Sequence, residues 1–392
     1  MGHHPLHYLD CSATTPMAAE VQAAMQRCQQ EAWGNPSSLH GFGLVAAEQL
    51  ERQRQRLAAL LGCASGRVVF TSGGTESIHL ALLGSCPDAR SGSRLVITGV
   101  EHPATLAAAE RRRRSGWQVA HLPVDRRGLV DPEQLRPLLA PPTALVSVIW
   151  GQSEVGTLQP LQAIGSLCRE AGIPLHVDAV QVVGHQPIDF DALPVDALSL
   201  TAHKLQGPRG IGALLLRDGV ALAPLLGGGG QEGGLRAGTE PVDLVTGLVE
   251  AVALSHRRLE SHGGRDPITP LRDRLLQRLL EHPGLQLTGV DPREQPAARL
   301  PHHISLLVRD PLGQPLPGRA LVHQLWRQGF AVSSGSACSS GEQRPSPTLL
   351  AMGYDSAEAQ AGLRISLGPW HGDALLDQLP EAIDRVLASP GF

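Results

Sequence analysis

Aromatic side chains are scarce in this chain. Five Phe, two Tyr and five Trp among 392 residues leave its cores to be built from Leu, Val and Ala. Long apolar runs are missing as well. None reaches the roughly 18 residues that a membrane-spanning helix needs, so no membrane span is expected. No charge of one sign dominates. Lys and Arg number 33 against 37 Asp and Glu, a net charge of −4, which gives no basic field for nucleic acid. The four arginines 111–114 sit where a helix should end and suit its dipole and solvent, not nucleic acid. Cysteine pairs are absent too. Cys11, Cys28, Cys63, Cys86, Cys168 and Cys338 are scattered without CxxC spacing and read as reduced thiols of a cytoplasmic protein. The start, MGHHPLHYLD, has neither a basic region nor an apolar segment and does not read as a signal peptide. Very few of the basic residues are lysine, which gives weight to any lysine set in an apolar context.

What is present is length and alternation. The chain is long enough for two domains with sizeable cores. Residues 9–16 read as a short strand running into a turn. Apolar strands are expected at 68–71, 95–100, 144–150, 175–181 and 213–216, and a buried run of small and apolar residues leads from 196 to Thr201, His203 and Lys204. Helices are expected at 18–31, 43–61, 164–171 and 241–259, after a Gly-rich turn at 73–74, and between position 103 and the arginines. This order predicts an α/β fold whose large domain has a mainly parallel seven-stranded sheet flanked by helices. From about residue 270 short strands at 285–288, 303–308 and 362–368 mix with helices at 271–281, 319–328, 348–352 and 373–387, which predicts a smaller C-terminal α+β domain. The expected division is an N-terminal arm at 1–15, a large domain at 16–259 and a small domain at 260–392.

Five places carry chemistry. In DALSLTAHKLQGPRGIG, Lys204 stands at the end of a buried segment, where desolvation favours a neutral amine that can bond an aldehyde. Upstream, LHVDAVQ reads as a core strand with Asp178 near its C-terminal end, and a buried acid needs a partner. A lysine for an aldehyde and a carboxylate for a ring nitrogen are what pyridoxal phosphate requires. In FTSGGTES, Gly74 and Thr75 open a helix whose free amides suit a phosphate. His102 follows a strand in EHPAT, where an imidazole can stack on a ring. Finally, Cys338 lies in SSGSACSSGEQ, a small-residue loop with little to bury it, where a thiol can enter and leave a cleft.

LDCSATTP, GNPSSLH, FTSGGTES, EHPAT, HVDAVQ, TAHK, GGGQEGGLRAGT, SSGSAC and LRISLG occur in that order over nearly the whole chain. In this the sequence resembles the cysteine desulfurases, a class-V aminotransferase-like branch of the fold type I pyridoxal phosphate enzymes. It resembles the members with a long catalytic loop that serve iron–sulfur cluster assembly. The resemblance implies that Lys204 holds the cofactor and moves the substrate α-proton, that Asp178 pairs with the ring nitrogen, and that Gln181 supports the ring oxygen. It implies that His102 stacks on the ring, and that Gly74, Thr75, Thr201 and His203 bind the phosphate. Thr239 would reach the phosphate of a neighbouring subunit in a homodimer. Arg364 and Asn35 would bind the substrate L-cysteine, Arg364 through its carboxylate. Cys338 would take the substrate sulfur as a persulfide, release alanine and pass the sulfur to an acceptor or scaffold protein. One departure stands out: Gln152 and Ser153 replace paired asparagines, so a shorter side chain serves the cofactor and substrate at Ser153. Ile78 also replaces a usually polar residue. A relative acting on selenocysteine or cystine, and a non-catalytic scaffold, are the other readings the same motifs allow.

Overall fold

The computed structural model describes residues 7–335 and 344–389. Its large sheet contains β1 (Arg67–Thr71), β2 (Arg94–Thr98), β3 (Gln118–Leu122), β4 (Thr143–Ile149), β5 (Leu175–Asp178), β6 (Ala197–Thr201) and β7 (Gly212–Leu216). The strands lie in the order β1-β7-β6-β5-β4-β2-β3. Only β7 runs against its neighbours, pairing antiparallel with both β1 and β6. The other pairings are parallel, from β6 through β5, β4 and β2 to β3.

The inner strands are almost wholly apolar because both faces of the sheet are covered, as a parallel sheet requires. Successive residues go to opposite faces. Val68 and Phe70 join one core while Val69 joins another, and Ala213 and Leu215 part from Leu214 and Leu216 in the same way. One face is covered by α1 (Ala19–Glu31), α2 (Gly41–Leu60), α5 (Leu161–Glu170) and α6 (Val242–Glu260); the other by α3 (Gly74–Gly84) and α4 (Pro103–Arg114). α4 ends in the four arginines predicted for a helix C-terminus.

A second, antiparallel sheet has the order β10-β9-β8, from β8 (Leu285–Leu287), β9 (His303–Val308) and β10 (Gly362–Ser366). It packs with α7 (Thr269–Leu279), α8 (Gly318–Arg327) and α10 (Leu375–Leu387) around its own core, in which Leu9 of the N-terminal arm is fully buried. The short helix α9 (Pro347–Ala351) lies between this sheet and the large one.

Two features differ from the sequence expectation. Residues 9–16 form no strand. Tyr8 and Asp10 make isolated bridges to Ala331 and Ser366, and a turn follows. β3 was not expected, because QVAHL is an edge strand that buries only Leu122 fully and carries no apolar alternation.

Arg299 ties the small sheet together from inside. Its side chain is buried; Nη1 donates to the carbonyls of Thr288 and Val290 at 2.8 Å each, and Nε donates to that of His303 at 3.1 Å. Replacing it with an apolar residue takes the Arg299 donors from the buried carbonyls of Thr288 and Val290, while that of His303 still receives Arg272 Nη1 at 3.4 Å. Arg299→Met should therefore cost about 3 kcal/mol, read as a lower urea midpoint. A midpoint equal to that of the parent chain would show that water or repacking replaces the guanidinium.

Candidate active site

The carboxyl ends of the parallel strands meet at one edge of the sheet, where ligands of such folds gather. β5 ends at Asp178, β6 leads through Thr201 to His203 and Lys204, β2 to Glu101 and His102, and β4 to Gln152 and Ser153. All of them line one cavity of about 410 Å³, together with Gly74, Thr75, Gln181 and Arg364. Of the candidate residues, ten of those described thus come together. Asn35 and Thr239 are exposed and do not line the cavity of their own chain. Cys338 lies outside the described residues.

Lys204 is the only lysine in the sequence. Its Nζ donates to the backbone carbonyls of Ser12 and, at 2.8 Å, Ala13 in the arm. Burial, helped by the cationic Arg364, pushes its amine down from the usual 10.5 to about 8, against the pull of Asp10 and Asp178. Asp178 is buried, and its Oδ1 accepts from the Val180 amide at 3.0 Å. Burial raises its pKa, while His102 and Lys204 oppose the shift. The carboxylate has no ion-pair partner among the described residues, so the site holds an acid that still needs a cation. His102 accepts from the Ala104 amide at 3.1 Å through Nδ1, which caps α4 and leaves its proton on Nε2. Burial lowers its pKa, so the ring is neutral at pH 7.

The phosphate end is built from backbone. Gly73 precedes α3 with φ at +147°, a conformation that a side chain would strain. Among the described residues no side chain caps α3, so its first amides remain for an anion. Opposite lie Thr201, whose hydroxyl donates to the Ile211 carbonyl at 3.2 Å, and His203, whose Nδ1 is 3.2 Å from the Thr14 hydroxyl. Burial pushes His203 down to about 4, so it meets a ligand as neutral imidazole. Gln181 donates to the Ser12 carbonyl at 2.8 Å.

At the substrate end, the Gln152 side chain closes its own loop. Its Oε1 accepts from the amides of Glu154 and Val155 at 2.5 and 2.8 Å, and its Nε2 donates to Thr348. The Ser153 carbonyl accepts from Arg364 and from His303 Nε2, each at 3.1 Å. Ile78 is buried against the cavity.

Two residues were missed in the sequence. Glu101 is buried beside His102, accepts from Thr98 and from the Ile149 amide, and has its second oxygen unpartnered among the described residues. Burial and the nearby Asp178 push it up to about 7. Asp10 forms an ion pair with Arg364 at 2.7 Å. The signal for Glu101 was an acid flanked by apolar Val100 and the EHP turn; nothing local marks Asp10.

A model of the class-V aminotransferase family matches residues 7–379. The chain belongs to that family. It is 36% identical over 382 residues to a protein named cysteine desulfurase IscS from Dictyoglomus turgidum, covering 97% of this chain and 94% of that one. Among solved structures, a NifS-like protein matches with a TM-score of 0.86 and 32% identity over 97% of this chain and 98% of that one. A structure titled SspA in complex with cysteine matches with a TM-score of 0.79 and 30% identity, over 93% of this chain and all of that one.

Class-V aminotransferases use pyridoxal phosphate, and this cavity fits it. Uncapped amides of α3 with Thr75, Thr201 and His203 suit the phosphate, Asp178 lacks a cation that a ring nitrogen supplies, and Lys204 offers an amine that sheds its proton near pH 8. Because no second lysine competes, borohydride trapping of the cofactor on a side chain reads Lys204 alone. The amine is protonated below about 8 and neutral above it, and only the neutral form bonds an aldehyde. Cofactor uptake by the apo chain should rise with pH through about 8 and then level off, and Lys204→Ala should trap none on any side chain. A rise centred instead near 10.5 would mean that burial does not act on this amine.

Proposed function

We propose that this chain is a pyridoxal phosphate-dependent cysteine desulfurase. It takes sulfur from L-cysteine, releases L-alanine, and holds the sulfur as a persulfide on Cys338 before passing it to a protein acceptor, with iron–sulfur cluster assembly as its destination. The observation that carries this reading is the sole lysine sharing one cavity with an arginine and a buried acid that has no ion-pair partner among the described residues. The relatives named for cysteine desulfurase activity support it.

The cofactor supplies an electron sink for bonds broken at the substrate α-carbon. The protein supplies the rest. Asp178 keeps the ring nitrogen protonated, because a buried carboxylate is stabilised by a neighbouring positive charge. Lys204, low in pKa, takes and returns the α-proton. Arg364 grips the substrate carboxylate and so fixes which bond faces the thiol. His102, neutral, would lie against the ring and can donate from Nε2.

Elimination favours Cys338 as the sulfur acceptor. The other five cysteines are buried or half-buried, and burial raises the pKa of each, with Cys63 at about 11 and Cys168 at about 12. They are thiols at neutral pH and poor nucleophiles. Gly335, directly before the Cys338 segment, and Pro347, four residues after it, both line the cavity. Gly335 has φ at +61°, and a Cβ there would lie 2.6 Å from Glu154 Oε1, so the chain enters this segment through a position made for glycine.

Cys338→Ser should retain the cofactor's colour and its spectral change on adding cysteine, yet form no persulfide and release no alanine. Alanine release at the parent rate would sink the persulfide route and leave a lyase-type reaction.

The homodimer belongs to the same proposal. Trp33, Leu39, Phe42 and Leu44 are 65, 92, 60 and 56% exposed within one stretch that includes Asn35, an apolar surface that a partner subunit would cover. Thr239, exposed in its own chain, would then complete the partner's phosphate site. Sizing at micromolar concentration should give about twice 41.5 kDa. A fully active monomer would remove the role given to Thr239.

A further inference from the structure

Arg364 on β10 is nearly buried and lines the cavity, and three other segments meet it. Its Nη2 donates to Asp10 Oδ1 at 2.7 Å, and its Nη1 donates to the Ser153 carbonyl at 3.1 Å. Its backbone pairs with Ser333 in both directions, at 2.7 and 3.0 Å, two residues before Gly335. Its Nε is buried and has no partner among the described residues. Nε and Nη2 share one edge of the guanidinium, and such an edge can receive both oxygens of a carboxylate. Asp10 therefore occupies one donor of that edge and leaves the other open. Asp10 itself does not line the cavity.

We propose that Asp10 is a positioning residue for carboxylate recognition: its hydrogen bond aims Arg364, and its charge holds down the affinity of that arginine for the substrate's α-carboxylate. This rests on the reading of Arg364 as the α-carboxylate clamp.

The physical case is a shared cation. One guanidinium carries one positive charge, and Asp10 neutralises it at contact distance, with the two side chains 22% and 6% exposed. A substrate carboxylate must share that charge and meets a like charge beside it, which weakens its binding. Aim and charge are separable by substitution. Asparagine keeps the shape of aspartate and still accepts from Nη2 through its carbonyl oxygen, but carries no charge. Alanine loses both.

The test titrates the holoenzyme with L-alanine and with ethylamine, which is L-alanine without its carboxylate, following the visible spectrum of the bound cofactor. Asp10→Asn should tighten L-alanine by about fivefold, the size of one partly exposed ion pair, and leave ethylamine unchanged. Asp10→Ala should weaken L-alanine, because the guanidinium loses its aim. The proposal is overturned if Asp10→Asn weakens L-alanine or leaves it unchanged, or if it moves both ligands by the same factor. Arg364→Gln in the same titration separates the two levels. If it weakens L-alanine alone while Asp10→Asn gives no tightening, the clamp stands and the role of Asp10 falls. If it moves neither ligand, or both alike, the clamp reading falls and takes the role of Asp10 with it.

Discussion

Six residues of the N-terminal arm hold both sheets to one cavity. Asp10 pairs with Arg364 on the small sheet, and the Cys11 amide donates to the Ser366 carbonyl beside it. Ser12 and Ala13 turn their carbonyls to Lys204, and Ser12 also receives Gln181. Thr14 and Thr15 bond to His203, Thr15 from both its amide and its hydroxyl. Leu9 anchors the whole run in the small core. The arm adds no strand and little core of its own. Its backbone bonds to Gln181, His203 and Lys204, which line the site, and to Ala331 and Ser366 beside it, so the position of Lys204 relative to Arg364 depends on it.

That arrangement places a lysine, an arginine and three buried acids, Glu101, Glu154 and Asp178, around one cavity. Each charge alone would be costly to bury. Asp10 pairs with Arg364, while Asp178 and Glu101 have no ion-pair partner among the described residues and burial pushes their pKa values up. Lys204 drifts downward for the same reason. A site left in this condition gains by admitting a group that brings a protonated ring nitrogen, an aldehyde and an anion. The desolvation that strains the site is therefore also what selects its cofactor.

Much of this was legible in the sequence, and the reason is geometric. In a parallel sheet the functional residues follow the strands directly, so an acid or a histidine just after an apolar run marks the edge where ligands bind. Asp178, His102 and Lys204 each have that local context. Residues whose roles come from partners distant in sequence do not. Asp10 meets Arg364 across 354 positions, and no property of LDCSATTP announces an ion pair. The same holds for the arm as a whole, whose apolar-polar pattern read as a strand although its neighbours offer only single bridges. β3 escaped notice because an edge strand with one buried residue lacks the apolar run that marks the others. Asn35 and Thr239 were read as site residues, yet they stand outside the cavity of their own chain, where only a second subunit would give them that place.

The scarcity of lysine gains meaning once the site is in view. All basic residues but Lys204 are arginine. A guanidinium stays protonated in proteins and cannot bond an aldehyde as a neutral amine does. Surface charge, helix ends and buried ties such as Arg299 are thus all served by cations inert toward the cofactor. Reactivity toward an aldehyde is confined among side chains to one amine, and burial brings that amine down from the usual 10.5 to about 8. Selectivity for Lys204 rests on composition as much as on geometry: the cavity makes this amine reactive, and the rest of the chain offers no other lysine to compete with it.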